Sequence, residues 1–403
     1  MSVHVIIGAG QAGGYAAMAL REAGFTGRIL LLGEEPLRPY ERPPLSKDVL
    51  LAAETPPPAY VHSEARYAER EIELRLSTRV EAIDPAAARL RLADRETLAY
   101  DKLLIATGGT ARRLPIPGGE RILYLRTRED ALRLRATLTP GTRVVCIGAG
   151  VIGLEIAASA RTRGCEVAVV EAGPAPMGRS LTPPLAAWIA GLHTRHGVAL
   201  HFAAGVERLD ATHVHCAGGL SLPADVVVAG VGMVRATELA EAADLALDHG
   251  IVVDEYGQTG TPNIYAAGDV AAFWNPRLGR RLRQETWRHA MNHGIATGRS
   301  MAGTISPYDD IPWFWTDQHG INLQVAGLAE GSTHTILRGD MATASFCAFH
   351  LNAAGAVIAA EGVGATREIR AAMELIRLAC PVDPAALSDS ATNLQRLVAT
   401  LKA

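Results

Sequence analysis

Short unbroken apolar runs, separated by glycines and by stretches of helical spacing, govern the chain up to about residue 312. Such runs are the pattern of strands buried on both faces of a parallel sheet. One arrangement occurs twice. Val3–Ile7 leads into Gly8-Ala9-Gly10-Gln11-Ala12-Gly13, then an alanine-rich helical stretch to Leu20, a stop at Gly24, and a second apolar run, Arg28–Leu32, ending at Gly33-Glu34. Arg143–Ile147 leads likewise into Gly148-Ala149-Gly150-Val151-Ile152-Gly153, a helix through Arg163, a stop at Gly164, and Glu166–Val170, ending at Glu171. Further buried strands are expected at Lys102–Thr107, Asp225–Val231 and Asn263–Ala267, and Ala53–Pro58 reads as a loop. Beyond Pro312 apolar and polar residues alternate through Asn322–Leu328 and Thr343–Phe349, and Thr366–Leu378 has helical spacing. That change of texture predicts a separate C-terminal α+β domain. The expected fold is α/β: two Rossmann-like dinucleotide-binding domains, the first over 1–114 and 239–311 and the second over 115–238, followed by an α+β domain over 312–403.

A lone G-x-G-x-x-G says little; its weight comes from a strand before it, a helix after it and an acid about 20 residues on. Both copies meet all three conditions. The first glycine allows the tight turn, the second lets backbone approach a pyrophosphate, and the third lets helix and strand pack closely. The helix N-terminus then offers free N–H groups and a positive dipole end to phosphate. Glu34 and Glu171 are placed to accept from ribose hydroxyls. Two sites of this kind imply two dinucleotides, and a bound flavin with a diffusing nicotinamide is the simplest pairing. Thr261–Asp269 adds a strand that ends in Gly268-Asp269, where glycine permits close approach and the carboxylate can bind a polyol chain.

Composition narrows the class. Lys+Arg number 39 against Asp+Glu 42, a net charge of −3, without the basic excess of a nucleic-acid binder. Five cysteines, none in a C-x-x-C pair, argue against a disulfide framework and for a reducing cytoplasm. The first strand begins by Val3, so no leader peptide is expected. No apolar run reaches the ~18 residues that cross a bilayer, so no membrane association is expected. His193, His196 and His201 read as a solvated face rather than a metal site, and no metal is expected.

Several segments carry a resemblance. They are Arg38 to Lys47 (RPYERPPLSK), Ala106-Thr107-Gly108-Gly109, Tyr124 to Thr127, Gly148 to Glu155, Gly268-Asp269-Val270, Glu285-Thr286-Trp287 and Pro312 to Gln318 (PWFWTDQ). With them the chain resembles, over nearly its whole length, the FAD-dependent ferredoxin reductases of dioxygenase and monooxygenase systems, the putidaredoxin reductase group, with a glutathione-reductase-like fold. The resemblance implies an FAD domain formed by 1–114 with 239–311 and an NAD domain formed by 115–238. It implies that Gly8, Gly10, Gly13 and Glu34 hold the adenosine half of FAD, with Ala106, Thr107 and Gly108 in the same FAD-binding set. Arg42 and Lys47 are implied to lie on the loop near the flavin, Val80 beside the adenine and Arg126 in the FAD region. Gly268 and Asp269 would meet the ribityl or pyrophosphate part, and Trp287 would line the isoalloxazine through its backbone. Gly148, Gly150, Ile152, Gly153, Glu155 and Glu171 would bind NAD. Glu155 would also pair with Lys47, whose ammonium stabilises negative charge on a reduced ring; Lys47 and Glu155 are the catalytic candidates. The chain departs from the family at Met233–Ala236 and at Arg288-His289.

Glu171 is followed by Ala172 and Gly173 without positive charge, so a 2′-hydroxyl gains a charge-assisted hydrogen bond worth ~1.5–3 kcal/mol that a 2′-phosphate forfeits. NADH is therefore the expected donor, with Arg179 a softening influence. A dithiol relay is not expected, because the first cysteine, Cys146, falls inside a strand. The flavin edge would then serve an external acceptor: a [2Fe–2S] ferredoxin, Rieske-type or adrenodoxin-like, steered by the basic run Arg277, Arg280, Arg281 and Arg283. Trp313 and Trp315 fit a flavin cover or electron path and equally core packing. Alternatives are a rubredoxin reductase, an NADH oxidase-like flavoprotein and an NADH-sensing binding protein. The pattern specifies no oligomeric state.

Overall fold

Each apolar run singled out above becomes a strand. The computed structural model describes residues 2–402 and divides the chain into two units, Met1–Arg42 with Pro57–Thr110 and Met233–Asp310, and Pro43–Pro56 with Ala111–Gly232 and Ile311–Ala403.

The first unit is built on a parallel five-stranded sheet in the order Ile264–Ala266, Lys102–Ile105, Val3–Ile7, Arg28–Leu32, Ile72–Arg75. The inner strands are mostly apolar because both faces are covered, while the edge strand Ile72–Arg75 carries Glu73 and Arg75. Ile6, Ile29, Leu31 and Leu104 pack on one side with Ala12, Ala16, Leu20, Tyr67 and Met301. Val5, Leu30, Leu103 and Ile105 pack on the other with Phe273, Ile251 and Tyr308. Helix Gln11–Glu22 lies so close to helix Trp287–Met301 that a Cβ at Gly294 would stand 2.4 Å from the Ala12 carbonyl oxygen.

The second unit repeats the plan with parallel strands Val198–His201, Glu166–Val170, Arg143–Ile147, Val226–Ala229 and Leu123–Tyr124. It also holds an antiparallel sheet of Trp313–Gln318, Ile321–Gly327, Val357–Val363, Ser345–Leu351 and His334–Asp340. Helix Thr366–Leu378 covers that sheet through Ile369, Ala372 and Leu375. His334–Asp340 escaped the sequence pattern because it is an edge strand with one buried residue, Arg338. That guanidinium donates to the Ser390 and Thr392 carbonyls at 3.1 and 2.8 Å, which fastens the C-terminal segment. Segment Pro43–Pro56 is bedded in this unit. Leu50 is fully buried in its core, Arg163 donates to the Leu50 carbonyl, and Arg135 donates to those of Ala52 and Ala53. No helix among the described residues is long and apolar enough to cross a membrane.

Candidate functional site

In the first unit Gly8 has φ +110 and sits against strand Lys102–Ile105; a Cβ there would lie 2.3 Å from the Ala106 carbonyl oxygen. At Gly13 it would stand 2.0 Å from the Gly8 oxygen, whereas at Gly10 it would meet nothing within 4 Å. Two glycines are thus required by the protein's own packing, and the middle one leaves backbone open to a ligand. Gly10 caps helix Gln11–Glu22 with no side-chain hydrogen bond, so the first-turn N–H groups keep their capacity for an anion. Both polar atoms of the Gln11 side chain are buried without a protein partner, a state that ordinarily signals an outside partner. Glu34 is exposed at the strand tip, 2.9 Å from Arg79. Gly268 (φ +77) turns the chain beside Asp269, held by a bond from the Gly268 N–H to His293 Nδ1. These residues fit the pyrophosphate and sugars of a dinucleotide such as FAD.

The second unit repeats the cradle. Gly148 has φ +95, a Cβ on Gly153 would stand 2.0 Å from the Gly148 oxygen, and Gly150 caps helix Val151–Thr162 without a side-chain bond. Glu171 is not a free carboxylate: it accepts from the N–H groups of Ala149 at 2.8 Å and Gly173 at 2.7 Å. Those bonds fix its oxygens at the mouth of the glycine turn and leave lone pairs for ribose hydroxyls. Ile152, 39% exposed, stands in the first turn of the helix.

One turn further along that helix, Glu155 turns inward and is 3% exposed. Its Oε1 lies 3.4 Å from Lys47 Nζ and accepts from Thr316 Oγ1 at 2.7 Å, while Oε2 accepts from Ser46 Oγ. Ser159, one helical turn on, donates to the Ser46 carbonyl at 2.7 Å and fixes the segment that presents Lys47. Burial pushes the Glu155 carboxyl above its usual range, opposed by Lys47 and then by the hydroxyls of Ser46 and Thr316. Lys47 also lies 3.4 Å from Asp317 Oδ2, which accepts from Trp315 Nε1 at 3.0 Å. The expected Lys47–Glu155 pair is thus formed. Ser46, Thr316 and Asp317 lay inside quoted motifs but received no role, because a motif does not say which side chain faces inward.

The other expected positions are spread over both units. Arg42 pairs with Glu35 at 2.8 Å and donates to Tyr40 Oη at 3.1 Å. Thr107 donates to the Ala236 carbonyl at 2.8 Å, between buried Ala106 and Gly108 at φ +62. Val80 is buried in the core beside Leu92 and Leu98. Arg126 precedes the N-cap Thr127, its N–H bonded to Asp130. Trp287 is the first residue of its helix, half-buried. Arg235, in the stretch that departs from the family pattern, donates to the Asp269 carbonyl at 2.9 Å and pairs with Glu285. The sequence signal for it was the departure itself.

One expectation needs correction. His193 is fully buried, not solvated: Nε2 is 2.7 Å from Gln318 Oε1 and Nδ1 is 3.2 Å from His319 Nε2. Helical periodicity places it inward with Ile189 and Leu192. Within the basic run Arg277 pairs with Asp309 at 2.6 Å and Arg281 lies 3.9 Å from Asp248. Trp313 and Trp315 stack at 5.3 Å as same-face neighbours of one strand. Cys146 is fully buried, its thiol pushed up to about 12 by burial and by Cys165.

Residues 2–294 match the family described as pyridine nucleotide-disulphide oxidoreductase, and residues 313–398 match the reductase C-terminal domain. The ferredoxin–NAD(+) reductase component of the anthranilate 1,2-dioxygenase system of Burkholderia cepacia is 40% identical, over 97% of this chain and 98% of that protein. Putidaredoxin reductase of Pseudomonas putida is 36% identical, over 99% and 97%. Among solved structures, the ferredoxin reductase for the CYP199A2 system of Rhodopseudomonas palustris superposes with a TM-score of 0.95 at 36% identity, covering 99% of this chain and all of that one. The reductase in a covalent putidaredoxin reductase–putidaredoxin complex gives 0.94 at 35% identity, covering 100% and 99%.

Proposed function

The chain belongs to the pyridine nucleotide-disulphide oxidoreductase family, and from that premise we propose that it is an FAD-dependent NADH:ferredoxin oxidoreductase. Its partner is a [2Fe–2S] ferredoxin that serves an oxygenase. The observation that carries this reading is the pairing of two complete dinucleotide cradles with cysteines unsuited to a dithiol relay. Four of the five cysteines are buried, and all five are free. A family member without a thiol pair must deliver electrons to an outside acceptor. The relatives named above are ferredoxin reductases over their full length, which supports the same acceptor class.

Bound FAD supplies the ability to take electrons as a pair and release them singly. Gly8, Gly10, Gly13, Glu34 and Gln11 bind its adenosine diphosphate half, with Val80 at the adenine. Ala106, Thr107, Gly108, Gly268 and Asp269 line the remaining length, together with Arg42, Arg126 and Trp287. Gly148, Gly150, Ile152, Gly153 and Glu171 bind NADH, and the carboxylate of Glu171 selects the 2′-hydroxyl. Lys47 would supply a positive charge to stabilise the negative charge of a reduced flavin, and Glu155 holds Lys47 in place. Reduced cysteines and a soluble electron partner fit a cytoplasmic protein.

NADH-dependent reduction of a panel of purified [2Fe–2S] proteins tests this. Rapid reduction of at least one member, with little NADH consumption in its absence, is expected. Fast NADH oxidation by oxygen alone, or a folded protein that binds no flavin, overturns it.

A further inference from the structure

Glu155 lies at the end of a line of hydrogen bonds that runs through His193 of helix Pro183–Arg195 to His319. His319 Nε2 lies 3.2 Å from His193 Nδ1, His193 Nε2 lies 2.7 Å from Gln318 Oε1, Gln318 Nε2 donates to Thr316 Oγ1 at 3.0 Å, and Thr316 Oγ1 donates to Glu155 Oε1 at 2.7 Å. His193, Gln318 and Thr316 are all 2% exposed or less. His319 reaches the line because it and Gly320 form a two-residue turn with φ +52 and +76 between strands Trp313–Gln318 and Ile321–Gly327. Positive φ at both central residues is what a type I′ hairpin turn requires. The outer imidazole stacks on His196 at 4.0 Å.

The line has one consistent direction. An amide oxygen only accepts, so His193 meets Gln318 as the Nε2–H tautomer, and its Nδ1 then accepts from His319. With its oxygen committed to His193, Gln318 turns its NH₂ toward Thr316. The single hydroxyl proton of Thr316 is left for Glu155. Were the amide reversed, its oxygen would claim that proton and Glu155 would lose a donor.

We propose that His193 is a positioning residue for the reaction: its Nε2–H, set by His319, orients Gln318 and so directs the Thr316 hydroxyl onto Glu155, keeping that carboxylate charged toward Lys47. This rests on the role given above to Lys47 and Glu155. The charged or titratable groups facing the line are Lys47 and, beyond it, Asp317 at the Glu155 end. At the other end they are His196 and Arg161; burial first, then His193, His196 and Arg161, disfavour protonation of His319. Burial lowers the proton affinity of His193 itself, so the neutral form required here is the one the site favours.

The test is the pH profile of flavin reduction by NADH, with the acid limb that disappears in E155Q assigned to Glu155. In H193F that limb moves up by about one pH unit, a tenfold change from one lost charge-assisted bond, while KM for NADH stays constant. H193Q, which restores a donor, moves the limb back. The double variant H193F/T316V moves it no further than T316V alone. A limb that stays in place in H193F, or additive shifts in the double variant, overturns the proposal. A second measurement does not depend on turnover or on the variants folding. In the unsubstituted protein with ¹⁵N-histidine, the His193 resonances are expected to report a protonated Nε2 and a bare Nδ1; the opposite tautomer overturns the proposal. Persistence of the acid limb in E155Q would instead count against the role of Glu155 and leave the tautomer result standing.

Discussion

Lys47 Nζ stands 3.4 Å from Glu155 Oε1 and 3.4 Å from Asp317 Oδ2, so one ammonium faces two carboxylates of unequal exposure, 3% and 43%. Removing the ammonium strips the buried acid of its partner, which typically costs 3–5 kcal/mol, moderated here by two hydroxyl donors. We expect K47A to lower the unfolding free energy by roughly 2–4 kcal/mol and the rate of flavin reduction by roughly 10²-fold. Denaturant melts and stopped-flow absorbance check both. D317N, acting on the solvated side, is expected to cost under 1 kcal/mol.

Burial raises the Glu155 carboxyl above its ordinary 4.5. The folded protein therefore binds a proton there more tightly than the unfolded chain, and that contribution to stability declines as pH rises from about 4.5 through the raised value. E155Q carries no such proton. Its stability relative to the unsubstituted protein is expected to increase with pH across this window, as paired urea titrations would show; a constant difference counts against a buried titrating acid.

His289 and His293 act in the opposite sense. Both are 1% exposed, and burial lowers His289 to about 4 and His293 well below the ordinary 6.5. Each contributes stability that is complete above pH 6.5 and lost as pH falls below it. For His289 alone the loss by pH 4 is on the order of 3 kcal/mol. Protonated His293 would also point an N–H at the Gly268 N–H that it now accepts. Acid exposure is expected to release flavin before global unfolding, followed by flavin fluorescence against far-UV dichroism, and H289Q is expected to flatten the stability slope.

The glycines separate folding from binding. G13A drives a methyl to 2.0 Å from the Gly8 oxygen and is expected to yield little folded protein. G10A meets nothing of the protein, so it is expected to fold with native stability yet purify with little flavin. G150A, whose methyl meets only the Gly230 oxygen at 3.8 Å, should keep its flavin and raise KM for NADH at least about tenfold, the 1.4 kcal/mol of one impaired phosphate contact.

Glu171 governs the choice of nicotinamide. We expect kcat/KM for NADH to exceed that for NADPH by at least about tenfold, given ~1.5–3 kcal/mol from a charge-assisted bond. E171A is expected to remove most of that ratio, and also to loosen the turn, because two backbone N–H groups lose their acceptor.

The parallel cores were legible because strands covered on both faces write themselves as near-continuous apolar runs; Val3–Ile7, Arg28–Leu32, Arg143–Ile147 and Glu166–Val170 form with the bounds read from the chain. Glycine spacing located both cradles, since Gly13 and Gly153 answer steric demands from Gly8 and Gly148 five residues earlier, whereas the close approach of Gly8 to Ala106 and of Gly148 to Gly230 appears only in the fold. The hydrogen-bonded surroundings of Glu155 were not legible. Ser46, His193 and the pair Thr316 and Gln318 come from three separate segments, and only folding reveals which polar side chains turn inward. His193 was misread for the same reason: three histidines close in sequence suggest a surface, while helical periodicity sends one of them into the core. Arg277 and Arg281 showed a converse limit, because a run of like charges does not reveal the aspartates that fold against it.

The bedding of Pro43–Pro56 has a consequence for anyone recombining such reductases. By sequence position Lys47 belongs to the first nucleotide fold, but Arg135, Arg163 and Ser159 secure its segment to the second. A chimera that exchanges residues 1–110 as a block would pair a foreign lysine loop with anchors that did not evolve beside it. Crossover points at 42 and 57 leave the ammonium with its own counter-charge, and the inherited cassette is therefore interrupted in the middle.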